Sequence, residues 1–264
     1  MSAAAERSVL ITGGGSGIGA AVARRMAAEG YGVCVTGRRG EPLAAVAAEV
    51  GGLALPADTT DPEQLAAALR GCLERFGRLD GLVLSAGLSA SGAAGEQSLE
   101  RWNAVLETNL TGAFLACRAA LPRLLESRGA IVAIASLAGL RAGPRSAAYC
   151  ASKAGLIMLI QSIALDYGPR GVRANCVCPG WVRTAMADGE MEELAARHGL
   201  DREQAYQLAS AHVPARRPGD AGEVAAAVAW LLSSEASYVN GAVVTVDGGA
   251  AVVDAGTLAF QAER

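Results

Sequence analysis

The sequence predicts an α/β fold in which a parallel sheet is covered by helices on both faces. Short, β-branched apolar runs alternate along the chain with segments whose apolar residues recur at helical spacing. The 264 residues suffice for one large α/β domain, and neither a repeat nor a linker interrupts the series. We therefore expect a single domain over residues 1–264, with a core built from Ala, Val, Leu and Ile, since only 4% of the residues are aromatic.

The elements follow one another in a regular order. The predicted strands are 8–12, 31–37, 52–57, 79–87, 129–136, 172–180 and a last one within 242–249. The predicted helices are 18–30, 41–50, 62–77, about 99–127, one that carries the motif YCASK, and 219–234. The polar segment 184–215 has helical spacing between two irregular hinges, which is typical of a substrate lid.

Charge and composition argue against several classes of function. The net charge is −3 without a long run of basic residues, so we expect no nucleic-acid surface. The N-terminus lacks a basic-then-apolar signal, and the apolar runs are too short to span a bilayer, which predicts a soluble, cytoplasmic protein. Six cysteines without a CxxC motif and two isolated histidines, His198 and His212, predict reduced thiols and no metal site.

The first strand runs into a glycine-rich turn, Thr12 to Gly19, written TGGGSGIG. Glycines let the backbone approach a pyrophosphate closely, and the following helix N-terminus offers free N–H groups and a partial positive charge. The spacing differs from GxGxxG, and a tight strand-to-helix connection is the alternative interpretation.

Arg38 and Arg39 follow the second strand, where NAD-binding folds often have an acidic residue for the ribose. A guanidinium can bind a 2′-phosphate, which favours NADP(H), whereas NAD(H) stays possible because the arginines could be solvated turn residues. Ser16 leaves the glycine-rich turn without a basic residue.

Tyr149 and Lys153, in YCASK, are four residues apart and share one helix face within a largely apolar segment. A tyrosine beside a fixed positive charge becomes a better acid. The pair could also lie by chance at the edge of an amphipathic helix.

With TGGGSGIG, YCASK and Ser136 together, residues 7–249 resemble a short-chain dehydrogenase/reductase. The resemblance implies a Rossmann-type doubly wound parallel sheet of about seven strands, a nicotinamide cofactor, and homotetramers or homodimers built on the helices around 99–127 and 146–168. It also implies four catalytic residues. Ser136 would bind the substrate oxygen, Tyr149 would be the acid/base, Lys153 would lower its pKa and hold the ribose, and Asn109 would hold a relay water.

The resemblance also assigns the cofactor contacts, with Asp58 at the adenine, Pro179 and Gly180 beneath the nicotinamide, and Val182 and Thr184 at its carboxamide and the pyrophosphate. Ser85-Ala86-Gly87 replaces the usual Asn-Ala-Gly, which leaves the chemistry intact. The full predicted set is Thr12, Gly13, Gly15, Ser16, Gly17, Ile18, Gly19, Arg38, Arg39, Asp58, Ala86, Gly87, Tyr149, Lys153, Pro179, Gly180, Val182 and Thr184.

We therefore expect hydride transfer between a nicotinamide and a small-molecule ketone or secondary alcohol. An NADPH-dependent ketoreductase is favoured, with 3-oxoacyl and polyketide-type ketones among the candidate substrates. The alternatives are an NAD-dependent secondary-alcohol dehydrogenase and a non-catalytic dinucleotide sensor. The candidate pocket residues are Leu88, Leu137, Leu140, Trp181 and Met186, and Arg141, Arg145 and Arg183 are close enough in sequence to be considered.

Overall fold

Seven parallel strands form one sheet at the centre of the structure, a computed structural model that describes residues 6–260. The order β3-β2-β1-β4-β5-β6-β7 reverses direction between β1 and β4, as in a doubly wound Rossmann-type sheet. The prediction of the fold class is therefore confirmed. The strands are β1 Ser8–Thr12, β2 Gly32–Gly37, β3 Leu53–Pro56, β4 Gly81–Leu84, β5 Ala130–Ile134, β6 Arg173–Pro179 and β7 Val243–Val246.

Helices connect the strands and cover both faces of the sheet. In the described part of the chain, the α-helices are α1 Gly17–Ala28, α2 Gly40–Val50, α3 Pro62–Phe76, α4 Leu99–Leu106, α5 Gly112–Ser127, α6 Ala147–Tyr167, α7 Ala185–His198, α8 Arg202–Ala209 and α9 Ala221–Leu232. Along β1, Val9 and Ile11 face the layer of α1, α2 and α9, whereas Leu10 faces the layer of α3, α5 and α6. Strands β1, β2, β4, β5 and β6 are largely buried on both sides, which explains their continuous apolar runs, whereas the edge strands β3 and β7 are partly exposed.

Three elements differ from the sequence-based boundaries. The helix expected over 99–127 is interrupted by a π-helical segment, Glu107–Thr111, which separates α4 from α5. The strand expected over 79–87 ends at Leu84, because the next backbone N–H groups bind a side chain of β1. The polar segment 184–215, expected to be helical between two irregular hinges, contains two separate helices, α7 and α8, which pack against each other.

Helix α6 corrects one expectation about length. The helical stretch Ala147–Arg170 is the one described segment that is long and apolar enough to cross a membrane. Its inner face, with Lys153, Leu156 and Ile160 buried, packs on the sheet. A helix with a buried lysine on its sheet-facing side is a core helix of this fold.

Candidate active site

Thr12 joins two strands beneath the site. Its side-chain oxygen accepts hydrogen bonds from the backbone N–H groups of Ser85, at 3.1 Å, and Ala86, at 3.2 Å, and its hydroxyl donates to the Val83 carbonyl at 3.3 Å. Thr12 is only 2% exposed and does not line the cleft. The Thr12 hydroxyl is thus used to fix the end of β4, and its predicted contact with the cofactor stays a prediction.

The glycine-rich turn brings backbone atoms too close together for any side chain. A Cβ on Gly13, whose φ is 65°, would lie 2.7 Å from the Ala86 nitrogen, and a Cβ on Gly19 would lie 2.3 Å from the Gly13 oxygen. Gly19 consequently packs against the backbone of the turn and does not line the cleft, and its predicted contact with the cofactor stays a prediction. Gly15, Ser16, Gly17 and Ile18 do line the cleft at the N-terminus of α1, where a pyrophosphate would fit against free N–H groups.

Arg38 and Arg39 lie at the end of the cleft beside this turn. The Arg39 guanidinium donates to the Ser16 hydroxyl at 3.0 Å. In the described part of the chain, neither arginine has a carboxylate within 4.0 Å. Asp58 lines the same end, and its Oδ1 accepts from both the N–H and the hydroxyl of Thr60 at 2.9 Å. The Arg39–Ser16 contact supplies the turn with the basic group that its sequence lacks.

The catalytic candidates meet where β5 and α6 come together. Ser136 follows β5, and its side-chain oxygen accepts from the Ala138 N–H at 3.1 Å. Lys153 is the only lysine of the chain, and its Nζ donates to the Ile134 carbonyl at 2.8 Å. The same Nζ is 5.7 Å from the centre of the Tyr149 ring. Ser136, Tyr149 and Lys153 all line the cleft.

Burial dominates the acidity of this group. It raises the pKa of Tyr149 to about 12, although the neighbouring Ser136 hydroxyl acts in the opposite direction. It also lowers the pKa of Lys153 to about 8, because an ammonium group is desolvated there. The expected lowering of the Tyr149 pKa is thus not present in the protein alone. The phenol is held in its protonated form, which can donate a proton.

Asn109 lies within the π-helical segment and is 1% exposed. Its Oδ1 accepts from the Leu88 N–H at 2.7 Å, and its Nδ2 donates to the Leu88 carbonyl at 2.9 Å and to the Ser152 hydroxyl at 3.0 Å. Its side chain therefore ties the end of β4 to α6 and does not line the main cleft. The predicted water relay stays a prediction. Gly87 is adjacent, and a Cβ there would lie 3.8 Å from the Lys153 Nζ.

Gln97 is a supporting residue that the sequence analysis missed. Helix α6 has no cap from Ser146, the residue before its first turn, but Gln97 Oε1 accepts from the Ala148 N–H at 3.3 Å. Ala148 precedes Tyr149, so this contact helps to fix the start of the helix that carries the site. A glutamine in a loop gives no recognisable signal of such a role in sequence.

The opposite wall is formed by the chain after β6. The cleft is lined here by Pro179, Gly180, Val182 and Thr184, whose contacts with the cofactor stay a prediction. Thr184 caps α7, since its side-chain oxygen accepts from the Ala187 N–H at 3.3 Å. A Cβ on Gly17 would contact the Thr184 methyl group at 3.2 Å, so the lid and the glycine-rich turn approach each other closely.

The substrate side of the cleft agrees only in part with the sequence-based set. Leu88, Leu137, Trp181 and Met186 line it, but Leu140 does not, because it is turned outwards and 48% exposed. Further lining residues that the sequence analysis missed are Arg101, Glu190, Glu193 and Arg197.

Of the three arginines that lie near the cleft in sequence, two line it and one does not. Arg183 binds Glu203 at 2.6 Å and stacks on the Tyr206 ring, and it does not line the cleft. Arg141 and Arg145 do line it, and Arg145 forms an ion pair with Glu96 at 2.9 Å.

All of these groups surround one cleft of about 1350 Å³, which runs from Arg38 past Tyr149 to the lid. Its glycine cradle, helix N-terminus and basic end fit a dinucleotide, and the remaining space beside Ser136 fits a second, smaller molecule. No group of three or more metal-binding side chains occurs among residues 6–260.

Comparison with known families decides the classification. The family model described as enoyl-(acyl carrier protein) reductase matches residues 13–251, which is most of the chain. The chain belongs to the short-chain dehydrogenase/reductase family. It is thus an oxidoreductase that acts on CH–OH groups with NAD(P).

Relatives of this short-chain dehydrogenase/reductase align along nearly their whole length. It is 45% identical over 258 residues to protein MoaE of Klebsiella aerogenes, which covers 96% of this chain and 99% of that protein. It is 35% identical over 249 residues to meso-2,3-butanediol dehydrogenase of Serratia marcescens, covering 93% and 95% respectively. A crystal structure of a variant of actinorhodin polyketide ketoreductase with NADPH superimposes with a TM-score of 0.91 at 34% identity, covering 96% of this chain and 100% of that one.

Proposed function

We propose that this short-chain dehydrogenase/reductase is an NADP(H)-dependent ketoreductase. The observation that carries the cofactor preference is the pair Arg38 and Arg39 at the ribose end of the cleft, without a carboxylate partner in the described residues. Guanidinium groups favour a 2′-phosphate, and the NADPH in a structural relative supports this assignment.

The protonation state of Tyr149 is compatible with a role as the acid. Burial raises the pKa of Tyr149 to about 12, so the phenol is protonated at neutral pH. A protonated phenol is the form that donates to a developing alkoxide, which ketone reduction requires. Tyr149 therefore supports the ketoreductase proposal as its proton donor.

Different residues of the cleft would bind different parts of the cofactor. Gly15, Ser16 and Ile18 would hold the pyrophosphate at the start of α1, and Arg38 and Arg39 would hold the 2′-phosphate. When bound, the nicotinamide would supply the hydride for the carbonyl carbon.

Ser136 would hold the carbonyl oxygen by a hydrogen bond, and Tyr149 would transfer its proton to that oxygen. Lys153 would orient the ribose and restore the proton of Tyr149. The cleft floor at Leu137 and the lid at Trp181 and Met186 would exclude water from the reacting atoms. A medium-sized ketone is the substrate class that this space supports.

The cofactor proposal is tested by titrating the purified protein with NADPH and NADH and following nicotinamide fluorescence. Arg38→Ala and Arg39→Ala should each weaken NADPH binding roughly tenfold or more and leave NADH binding unchanged. Arg70→Ala is a matched control, because Arg70 is exposed on α3 and does not line the cleft. Tighter binding of NADH by the wild type would overturn the preference, and binding of neither would overturn the proposal.

We further propose that the protein forms homo-oligomers through α5 and α6. Three large apolar side chains are exposed on these helices, namely Phe114, Met158 and Leu165, at 45%, 65% and 79%. Light scattering of Met158→Glu and Leu165→Glu variants should show a smaller particle than that of the wild type. An unchanged mass in both would contradict this interface.

A further inference from the structure

Helix α7 of the lid contributes both apolar and charged residues to the cleft. Ala187, Met191 and Ala195 are buried in the cluster that packs α7 against α8. Besides apolar residues such as Met186 and Met191, the cleft is lined by three charged side chains of α7 at helical spacing, Glu190, Glu193 and Arg197. The lid therefore places charge, and not only apolar surface, over the substrate space.

Most carboxylates of α7 have basic partners. Asp188 lies 3.8 Å and Glu192 3.3 Å from the Arg202 guanidinium, and Glu193 lies 3.7 Å from that of Arg197. Glu190 is the exception, since no Lys, Arg or His nitrogen lies within 4.0 Å of it in the described part of the chain. It is also only partly exposed.

Glu190 acts electrostatically on the reacting group. After burial and Ser136, its negative charge is the next influence on the pKa of Tyr149, and it raises that pKa. The groups around the Tyr149 phenol are Ser136 after β5, Lys153 and Cys150 on α6, Cys178 on β6 and Glu190 on α7. Glu190 is the one carboxylate among them, and it lines the same cleft as Tyr149.

We propose that Glu190 binds a hydrogen-bond donor, an ammonium or a hydroxyl group, on the ketone substrate close to its carbonyl. This inference rests on the proposed ketoreductase function. An unpaired, partly buried carboxylate is stabilised by an N–H or O–H group of a ligand, and its charge acts more strongly there than in open solvent.

The positive charges of two arginines on the same side of the cleft do not change the assignment of the substrate's polar group to Glu190. Arg101 and Arg141 also lack a carboxylate within 4.0 Å among the described residues, which by itself would favour an anionic substrate. Both are solvent-exposed, however, so water and salt screen their charges. Glu190 is less exposed, lines the cleft and has no basic partner, so we assign the polar end of the substrate to it.

The test compares four ketones as substrates with NADPH, followed by nicotinamide absorbance. Aminoacetone carries an ammonium group, acetoin a hydroxyl group, 2-butanone neither, and acetoacetate an anion. Wild-type kcat/KM should be higher for aminoacetone or acetoin than for 2-butanone, and the better of the two identifies the donor. Glu190→Gln should lower the ratio of kcat/KM for that ketone to kcat/KM for 2-butanone roughly tenfold to a hundredfold, because any effect on the acid Tyr149 is common to both ketones and cancels in the ratio.

Glu192→Gln is the matched control, because Glu192 lies on the same helix but is paired with Arg202 and does not line the cleft. It should behave as the wild type with every ketone. A wild type that prefers acetoacetate, or a Glu190→Gln variant that changes all four ketones equally, would overturn the inference.

Two measurements without turnover separate this inference from the proposed function. Ultraviolet titration of the phenols, with Tyr149→Phe to assign the signal, should show a lower pKa of Tyr149 in Glu190→Gln. Calorimetry of the four ketones on NADP-loaded Tyr149→Phe protein, with and without Glu190→Gln, should give the same ranking. If no ketone is turned over but the ketone affinities keep this ranking, only the proposed ketoreductase function is refuted. If the four ketones bind with the same affinity, the assignment of Glu190 is refuted.

Discussion

Lys153 makes the folded protein less stable at neutral pH than it would be with an apolar side chain at this position. Its ammonium group is buried on the sheet-facing side of α6, with the Ile134 carbonyl as its hydrogen-bond partner at 2.8 Å. Desolvation lowers the pKa of Lys153 from 10.5 to about 8 in the folded chain. Such a fall corresponds to about 3 kcal/mol of unfavourable free energy while the lysine stays charged.

The sign of the pH dependence follows from this shift. Between pH 8 and 10.5 the unfolded chain binds the proton and the folded chain has released it, so stability rises with pH. The free energy of unfolding of the wild type, minus that of Lys153→Met, should therefore rise by about 2.5 kcal/mol from pH 7 to pH 10. At pH 7 the variant should be the more stable protein by about 2 kcal/mol, after the lost hydrogen bond to Ile134 is counted, and it should be inactive.

Two assays on the protein without added dinucleotide check this prediction. Denaturant unfolding at fixed protein concentration gives the difference in free energy across the pH range. Because Lys153 is the only lysine of the chain, isotopically labelled lysine gives a single side-chain nitrogen resonance, whose titration reports the pKa directly. A pKa near 10.5, or a stability difference that does not change with pH, would refute the reasoning.

Three further predictions concern the turn and the phenol. Tyr149→Phe should reduce turnover by a factor of about 10² to 10⁴ and leave dinucleotide binding unchanged. The control variant Tyr238→Phe, at an exposed site, should be fully active. Full activity of Tyr149→Phe would exclude Tyr149 as the acid. Thr12→Val should lower the free energy of unfolding by about 1–3 kcal/mol. Thr12→Ser keeps the hydroxyl that accepts the two hydrogen bonds and should be more stable than Thr12→Val. Equal stability of the wild type and both variants would contradict the role of Thr12 in joining the strands. Gly13→Ala should abolish dinucleotide binding. Gly30 also has a positive φ, but a Cβ added there would meet no atom within 4 Å, so Gly30→Ala should bind the dinucleotide normally. Similar effects of both variants would show that backbone conformation alone matters.

The sequence was sufficient for the order of elements and for most of the lining of the cleft. The alternation of short and long apolar segments predicts the doubly wound sheet, since strands buried on both faces must be apolar throughout. The turn from Gly13 to Ile18 and the pair Tyr149 and Lys153 could be placed because their spacing fixes local geometry. In a parallel sheet the carboxyl ends of the strands meet at one edge, which brings Ser136 and Gly87 to the same cleft.

What a side chain does with its polar atoms was decided only by the tertiary structure. Thr12 belongs to the glycine-rich motif, yet its hydroxyl binds backbone groups more than seventy residues away, at Ser85 and Ala86. Arg183 lies next to cleft residues but turns towards Glu203. Neither outcome is encoded in local spacing, because hydrogen-bond partners depend on how distant segments pack.

The pKa values of the two catalytic candidates on α6 likewise depend on the tertiary structure. The sequence by itself determined the fold class, the family motifs and the presence of a tyrosine and a lysine on one helix face. Only the packed structure decided that burial raises the pKa of Tyr149 and lowers that of Lys153. It also decided that Glu190, from a lid that is distant in sequence, lines the same cleft as Tyr149 and raises its pKa. Desolvation and charge–charge interactions depend on distance in space and on the exclusion of water, and neither quantity exists until the chain has folded.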